Sequence, residues 1–161
     1  MSSGNTLTPD LLIQASVPSS AAYEDVETLL KGIELELPGG TSFTDKDGFE
    51  RHEIRIKWWR NKAATYADLA HPPYVVKGNP DLKNELLPQG LEFGYSKEEI
   101  PVLFGHYWFK GIPTLEAINV ACLDYSVPRA NGKLVAYRWS GEKVLSAKNF
   151  TAVANMADTY A

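Results

Sequence analysis

The sequence predicts an α+β chain. Helices and a hairpin form an N-terminal layer, and short strands form a C-terminal antiparallel meander. Three observations carry this reading. Helix-spaced apolar residues occur before position 32, where Ala22, Val26, Leu29 and Leu30 fall on one face. Farther on, Ile54, Ile56 and Trp58 alternate with Glu53, Arg55 and Lys57, the period of a half-buried strand. From Pro101 the pattern becomes short apolar runs divided by turn residues. A length of 161 residues is that of one ordinary domain, and 44% hydrophobic residues suffice for a core. The expected division is a cap-like helical and hairpin segment over residues 1–100, a sheet over 101–150, and a loose tail over 151–161.

Taken in order, Thr8-Pro9-Asp10 opens a first short helix, with a capping hydroxyl, a proline in the first turn and an acid near the positive end of the dipole. It is expected to run to residue 16 and stop at Pro18. A second helix is expected over 21–31, with Gly32 in the left-handed conformation that ends many helices. Pro38-Gly39-Gly40 is a loop. Residues 41–45 and 49–59 are the arms of a hairpin turning at Lys46-Asp47-Gly48. Residues 63–70 suggest a short helix, 82–87 and 96–99 helical turns. Strands are expected at 102–104, 120–126, 134–139 and 144–146, with Asn131-Gly132 as a strong hairpin signal and Ser140-Gly141 a weaker one.

Composition narrows the function. A net charge of -4 without clustered Lys and Arg offers no footprint for nucleic acid, so an anionic ligand would be drawn by local charge or metal. The single cysteine, Cys122, excludes an intrachain disulfide and fits a reducing cytoplasm, the expected location. Residues 1–10 do not read as a signal peptide. No run approaches the roughly 18 apolar residues of a membrane span.

The chemistry concentrates late in the chain. Pro101-Val102-Leu103-Phe104-Gly105-His106-Tyr107-Trp108 reads as a strand that opens onto a Gly-His pair. An imidazole at a strand end is a good ligand for Zn, Mn or Fe, and equally a strand-end His satisfied by a hydrogen bond. Asn119-Val120-Ala121-Cys122-Leu123-Asp124-Tyr125-Ser126-Val127 and Asn131-Gly132-Lys133-Leu134-Val135-Ala136-Tyr137-Arg138-Trp139 follow. Cys122 reads as a small apolar filler, since no base stands at an informative distance. In the hairpin, Asp45, Asp47, Glu50, His52 and Glu53 invite a metal reading. Gly48 comes too early for a calcium loop, however, and no second His follows His52-Glu53 at zinc-protease spacing.

These segments together resemble the C-terminal half of a calcineurin-like metallophosphoesterase, in the bis(5′-nucleosyl)-tetraphosphatase and serine/threonine-phosphatase branch. The likeness runs from about residue 8 to 142 and is specific only at 104–108 and 122–139. It implies a C-terminal sheet equivalent to part of an αββα sandwich. It also implies that His106 is one ligand of a two-metal centre holding Mn, Zn or Fe, and that Asp124 holds the loop bearing His106. Many relatives carry a second His where Trp108 stands. Tyr125 and Ser126 replace the Thr and Gly that follow the aspartate in that family. The stretch from Phe43 to Glu53 is similar to a family segment beside the active-site mouth, which makes Arg51 and Arg55 candidate contacts to substrate phosphates. Trp58-Trp59 is either core plus surface aromatic or a base-stacking platform.

The family's Asp-x-His, Gly-Asp-x-x-Asp-Arg-Gly and Gly-Asn-His motifs do not occur, and Gly78-Asn79-Pro80 is a near miss. One ligand cannot hold a two-metal site with its bridging hydroxide. The expectation is therefore the C-terminal part of a phosphoesterase acting on dinucleoside polyphosphates or phosphoproteins, binding no metal tightly and inactive as this chain. The alternative is a non-catalytic interaction domain. Half a sandwich should expose an apolar face, with Val102, Phe104, Val120, Leu134 and Ala136 as candidates, and a homodimer through that face is expected. His106 should stand at a strand end, in a cleft, within reach of Asp124.

Overall fold

The computed structural model describes residues 32–155 except Lys46 and Glu92. The two helices expected before Gly32 lie outside the described residues. Among the described residues, eleven short strands fall into four small sheets. The first joins β1 (Glu34–Glu36), β4 (Glu53–Ile56) and β5 (Ala70–His71) in the order β1-β4-β5, all antiparallel. The alternation in β4 is real: Ile54 and Ile56 are buried, and Glu53 and Arg55 are not. Ile54 packs with Leu37, Tyr66, Ala70, Val75 and Leu82. The inward period ends at Ile56, because the chain turns there, so Trp59 is the fully buried indole and Trp58 only flanks it. Helix α1 (Tyr66–Leu69) starts at Thr65, where the Asp68 carboxylate accepts from the Ala64 and Thr65 amides and the Thr65 hydroxyl. Helix α2 (Tyr74–Gly78) runs into a single 3₁₀ turn at Pro80–Lys83.

The hairpin is shorter than its sequence pattern. Strands β2 (Phe43–Thr44) and β3 (Glu50–Arg51) pair for two residues each. Asp45 explains the acidic run. Its carboxylate accepts from the Asp47 and Phe49 amides and from Arg51 Nε, each at 2.9 Å, the side-chain-to-backbone turn expected of aspartate. The Phe49 amide, then the Arg51 and Asp47 bonds, hold this half-buried carboxyl below its usual range.

The C-terminal half is not the simple meander expected. Strand β6 (Val102–Phe104) lies parallel to β8 (Val120–Cys122), which pairs antiparallel with β7 (Leu115–Ala117). Residues 120–126 are not one strand. The chain leaves the β6-β8-β7 sheet at Leu123 and enters a third sheet through β9 (Asp124–Tyr125). There β10 (Lys133–Tyr137) pairs with β9 and with β11 (Phe150–Ala154). Residues 144–146 form no strand: Leu145 is buried and its amide donates to the Ile118 carbonyl. Strand β11 takes part of the stretch read as a loose tail. Its small residues Ala152 and Ala154 give little periodic signal, while Phe150 packs edge-on against Tyr137 at 5.2 Å. Asn131 and Gly132 do lie between β9 and β10, but within a longer loop. A Cβ on Gly132 would stand 1.9 Å from the Ser126 carbonyl oxygen, so this tight loop requires glycine.

Burial corrects the expected apolar face. Val120 is 0% exposed at the core, and Phe104 packs against it in a cluster with Trp59, Tyr107 and Cys122. Val102 is only half-buried. Of the five candidates, Leu134 and Ala136 alone are exposed, on β10. Leu134 stands opposite Val153 of β11, and both are more than half exposed.

One aromatic cluster joins the sheets. Trp59 lies 4.8 Å from Phe104 and 5.2 Å from Tyr107, ring centre to ring centre, and Trp58 abuts Tyr95 at 5.6 Å. Residues on both sides of position 100 thus share a core. Replacing Trp59 with Ala should lower the unfolding free energy by about 3–5 kcal/mol, the usual cost of truncating a buried large aromatic. Urea titration checks this, and a loss under 1 kcal/mol would show that the two sheets do not depend on this contact.

Candidate functional site

The loop after β6 departs from ordinary backbone. Gly105 does not use its freedom; His106 and Trp108 carry the left-handed conformation instead, with φ of 65° and 52°. Such values are uncommon for bulky residues and need outside support. Between them Tyr107 is 2% exposed. The chain therefore drives one ring into the core and turns its two neighbours, His106 and Trp108, outward.

Support comes first from β9. Asp124 Oδ2 accepts from the Trp108 amide and Oδ1 from the Ser126 amide, both at 3.0 Å. The Asp124 carbonyl accepts from the Phe109 amide at 3.0 Å, and the buried Ser126 hydroxyl donates to the Phe109 carbonyl at 3.1 Å. Adjacent Cys122 is fully buried, and that burial pushes its thiol up to about 12, a filler rather than a nucleophile.

The first sheet supplies the other side. Arg55 Nη1 donates to the His106 carbonyl. The His71 Nε2 meets the Tyr107 carbonyl. A carbonyl only accepts, so Nε2 carries the proton. The Tyr107 hydroxyl donates to the Ile56 carbonyl at 2.8 Å, and the Arg55 guanidinium lies 5.2 Å from the Tyr107 ring centre. Gly32 completes the pocket: at φ 84° it is left-handed, and a Cβ there would come within 2.6 Å of the Tyr107 hydroxyl.

The sequence-derived residues now have places. His106 is exposed at the end of β6, with its ring 6.5 Å from that of Trp108. Asp124 is half-buried beneath the same loop, and Arg55 meets it from the opposite side. Arg55 is turned inward, with 17% of its side chain exposed, and faces Glu34 at 3.9 Å. Arg51 does not join them: it stays with its hairpin, bonded to Asp45 and over the Phe49 ring. Two residues were not legible as site residues. His71 sits in Ala70-His71-Pro72-Pro73, which reads as a helix end and loop; only the pairing of β4 with β5 shows its role. Arg129 sits in the turn before Asn131-Gly132, yet its guanidinium covers the Trp108 ring at 5.6 Å and reaches Asp47 at 3.4 Å.

As a metal site these residues are incomplete. Among the described residues no three His, Cys, Asp or Glu side chains gather into a group fit to hold an ion. His106 offers one imidazole, and Asp124 spends its two carboxylate oxygens on backbone amides.

Burial pushes His71 down to about 4, with the Lys57 and Arg55 charges adding to the effect and the Tyr107 carbonyl and Asp124 opposing it. The folded value lies below the unfolded one of about 6.5, so between these the unfolded chain binds the extra proton. Stability should be full above about pH 6.5 and fall by an amount of order 3 kcal/mol as pH drops toward 4. Urea midpoints across pH 4–7 should lose this component in His71→Gln; an identical pH slope in that variant would exclude His71 as its source.

Neither family models nor curated proteins nor solved structures give a match to this chain, and among the described residues no helix is long and apolar enough to cross a membrane.

Proposed function

We propose that the chain is the C-terminal part of a metal-dependent phosphoesterase of the calcineurin-like kind, acting on phosphoester or phosphoanhydride bonds and inactive by itself. One observation carries the reading. An imidazole is held outward at a strand end on a loop bonded from both sides, with Asp124 directly beneath. A fixed imidazole at a sheet edge is what a metal ligand requires. His106 is the ligand in this reading, for Mn, Zn or Fe, and Asp124 acts through the loop backbone. The remaining ligands must come from beyond the described residues, because those present do not complete a centre. The substrate class is a dinucleoside polyphosphate or a phosphoprotein. Local cations, not the overall charge of -4, would attract it. Arg51 and Arg129 are the exposed ones near the hairpin tip.

The test is hydrolysis of p-nitrophenyl phosphate and diadenosine tetraphosphate with added Mn or Zn. It is run on the 161-residue chain and on the chain extended by any in-frame coding sequence upstream of Met1. The expected outcome is silence from the former and turnover from the latter that His106→Ala removes. Turnover by the chain alone would overturn the incomplete-centre reading, and extended-chain turnover indifferent to His106→Ala would overturn the ligand assignment.

A second reading, a non-catalytic dimerisation module, draws on the exposed Leu134 and Val153 pair, 63% and 59% accessible across β10 and β11. Adjacent exposed apolar side chains favour a partner surface. Sedimentation equilibrium should then show a dimer that Leu134→Glu dissociates; a monomer at high concentration would remove this reading.

A further inference from the structure

We propose that Arg55 and His71 form a two-donor clamp that sets the backbone of His106 and so aims its imidazole; this rests on the reading of His106 as the site's imidazole. Arg55 of β4 and His71 of β5 are directly opposed in the antiparallel ladder, so they project from one face of that sheet. Their donors meet consecutive carbonyls, Arg55 Nη1 that of His106 and His71 Nε2 that of Tyr107. Spacing matches spacing: a cross-strand pair of side chains reads a pair of adjacent peptide groups. Asp124 takes the next polar group, the Trp108 amide, from the other side. Three successive residues are thereby fixed by side chains from three strands.

The clamp answers the backbone. Left-handed φ at His106 and Trp108 brings the Cβ too close to the backbone and is disfavoured relative to ordinary conformations. Such strain persists only where surroundings enforce it. Gly105, the residue that would adopt such a conformation freely, does not. The strain sits on the imidazole-bearing residue itself, and relaxing it would swing the ring away from its present direction. Arg55 is thus a positioning residue rather than a substrate contact. Its side chain is 17% exposed and committed to the His106 carbonyl, to Glu34 and to the Tyr107 ring.

The experiment is NMR of the full chain without metal or substrate, reading the ¹³Cα and ¹³Cβ shifts and the amide-to-Hα coupling that mark positive φ at His106 and Trp108. The variants are His71→Phe, which keeps an aromatic ring but no donor, and His71→Gln, which keeps a donor. Arg55→Met removes the guanidinium and retains the stem. The expected result is loss of the positive-φ signature in His71→Phe and Arg55→Met and its retention in His71→Gln. Retention of the signature in His71→Phe and Arg55→Met would overturn the clamp, and so would its loss in His71→Gln while that variant stays folded. If His71→Phe does not fold, Arg55→Met decides alone; if neither folds, Arg55→Lys decides, the signature returning with a restored donor or the clamp failing. A clamp upheld here alongside extended-chain turnover indifferent to His106→Ala would sink the ligand assignment and leave the backbone mechanism standing.

Discussion

The burial of Tyr107 is the constraint on which the rest of the site depends. Its ring fills the space between Trp59, Phe104 and the Arg55 guanidinium, and its hydroxyl satisfies the Ile56 carbonyl. A buried phenol needs such a partner, and an aromatic of this size contributes much of a small core. Because that contact ties the first sheet to β6, the residues on either side of Tyr107 have no freedom to follow an extended strand. They turn outward with positive φ, and the neighbouring polar groups are arranged to hold them there. Gly32 belongs to the same constraint, since any side chain at that position would collide with the phenol oxygen.

Holding the loop uses polar groups that are themselves costly to bury. His71 is kept neutral by burial, which lets its Nε2–H serve a carbonyl without placing another charge beside Arg55 and Lys57. Asp124 divides its two oxygens between amides on either side, at Trp108 and Ser126. Arg55 makes the least complete use of its donors: its buried Nε has no hydrogen-bond partner among the described residues. A guanidinium accepts that cost here because one of its donors reaches the His106 carbonyl and its plane covers Tyr107.

Much of this was legible in the sequence, and the rest was hidden for physical reasons. The alternation through Ile54 and Ile56 identified β4, because a half-buried strand writes its period directly. The strand before Gly105 and the loop at Asn131-Gly132 were legible from apolar runs and turn chemistry. Partnership was not. Nothing local says that β6 pairs parallel with β8, or that residues 120–126 divide between two sheets at Leu123. Strand β11 was missed because Ala152 and Ala154 carry almost no amphipathic signal, and its existence depends on β10 offering a free edge. Of the site residues, His106 and Asp124 stand in recognisable runs, whereas His71 acquires its role only from lying opposite Arg55. Arg55 itself was legible as a special cation but its burial was not, since sequence does not distinguish a guanidinium facing solvent from one facing a carbonyl.

The arginines around the loop therefore divide by exposure, and the division has a chemical meaning. Arg55 is committed: it is largely covered, and displacing it would break a bond to the strained peptide it supports. Arg129 is exchangeable. Its pair with Asp47 is long at 3.4 Å and about half exposed on both sides, and such surface pairs are worth only about 0–1 kcal/mol. Its position over Trp108 is nonetheless defined, because the loop that carries it is bonded through Arg129 N to the Ser126 carbonyl at 2.8 Å and through Asn155 Nδ2 to the Val127 carbonyl at 2.8 Å. A cation held by its backbone yet weakly paired at its head group can trade a carboxylate for another anion at little cost. A cation buried in a hydrogen-bonded clamp cannot. The fold thus keeps its rigid charge underneath His106 and its adaptable charge beside Trp108.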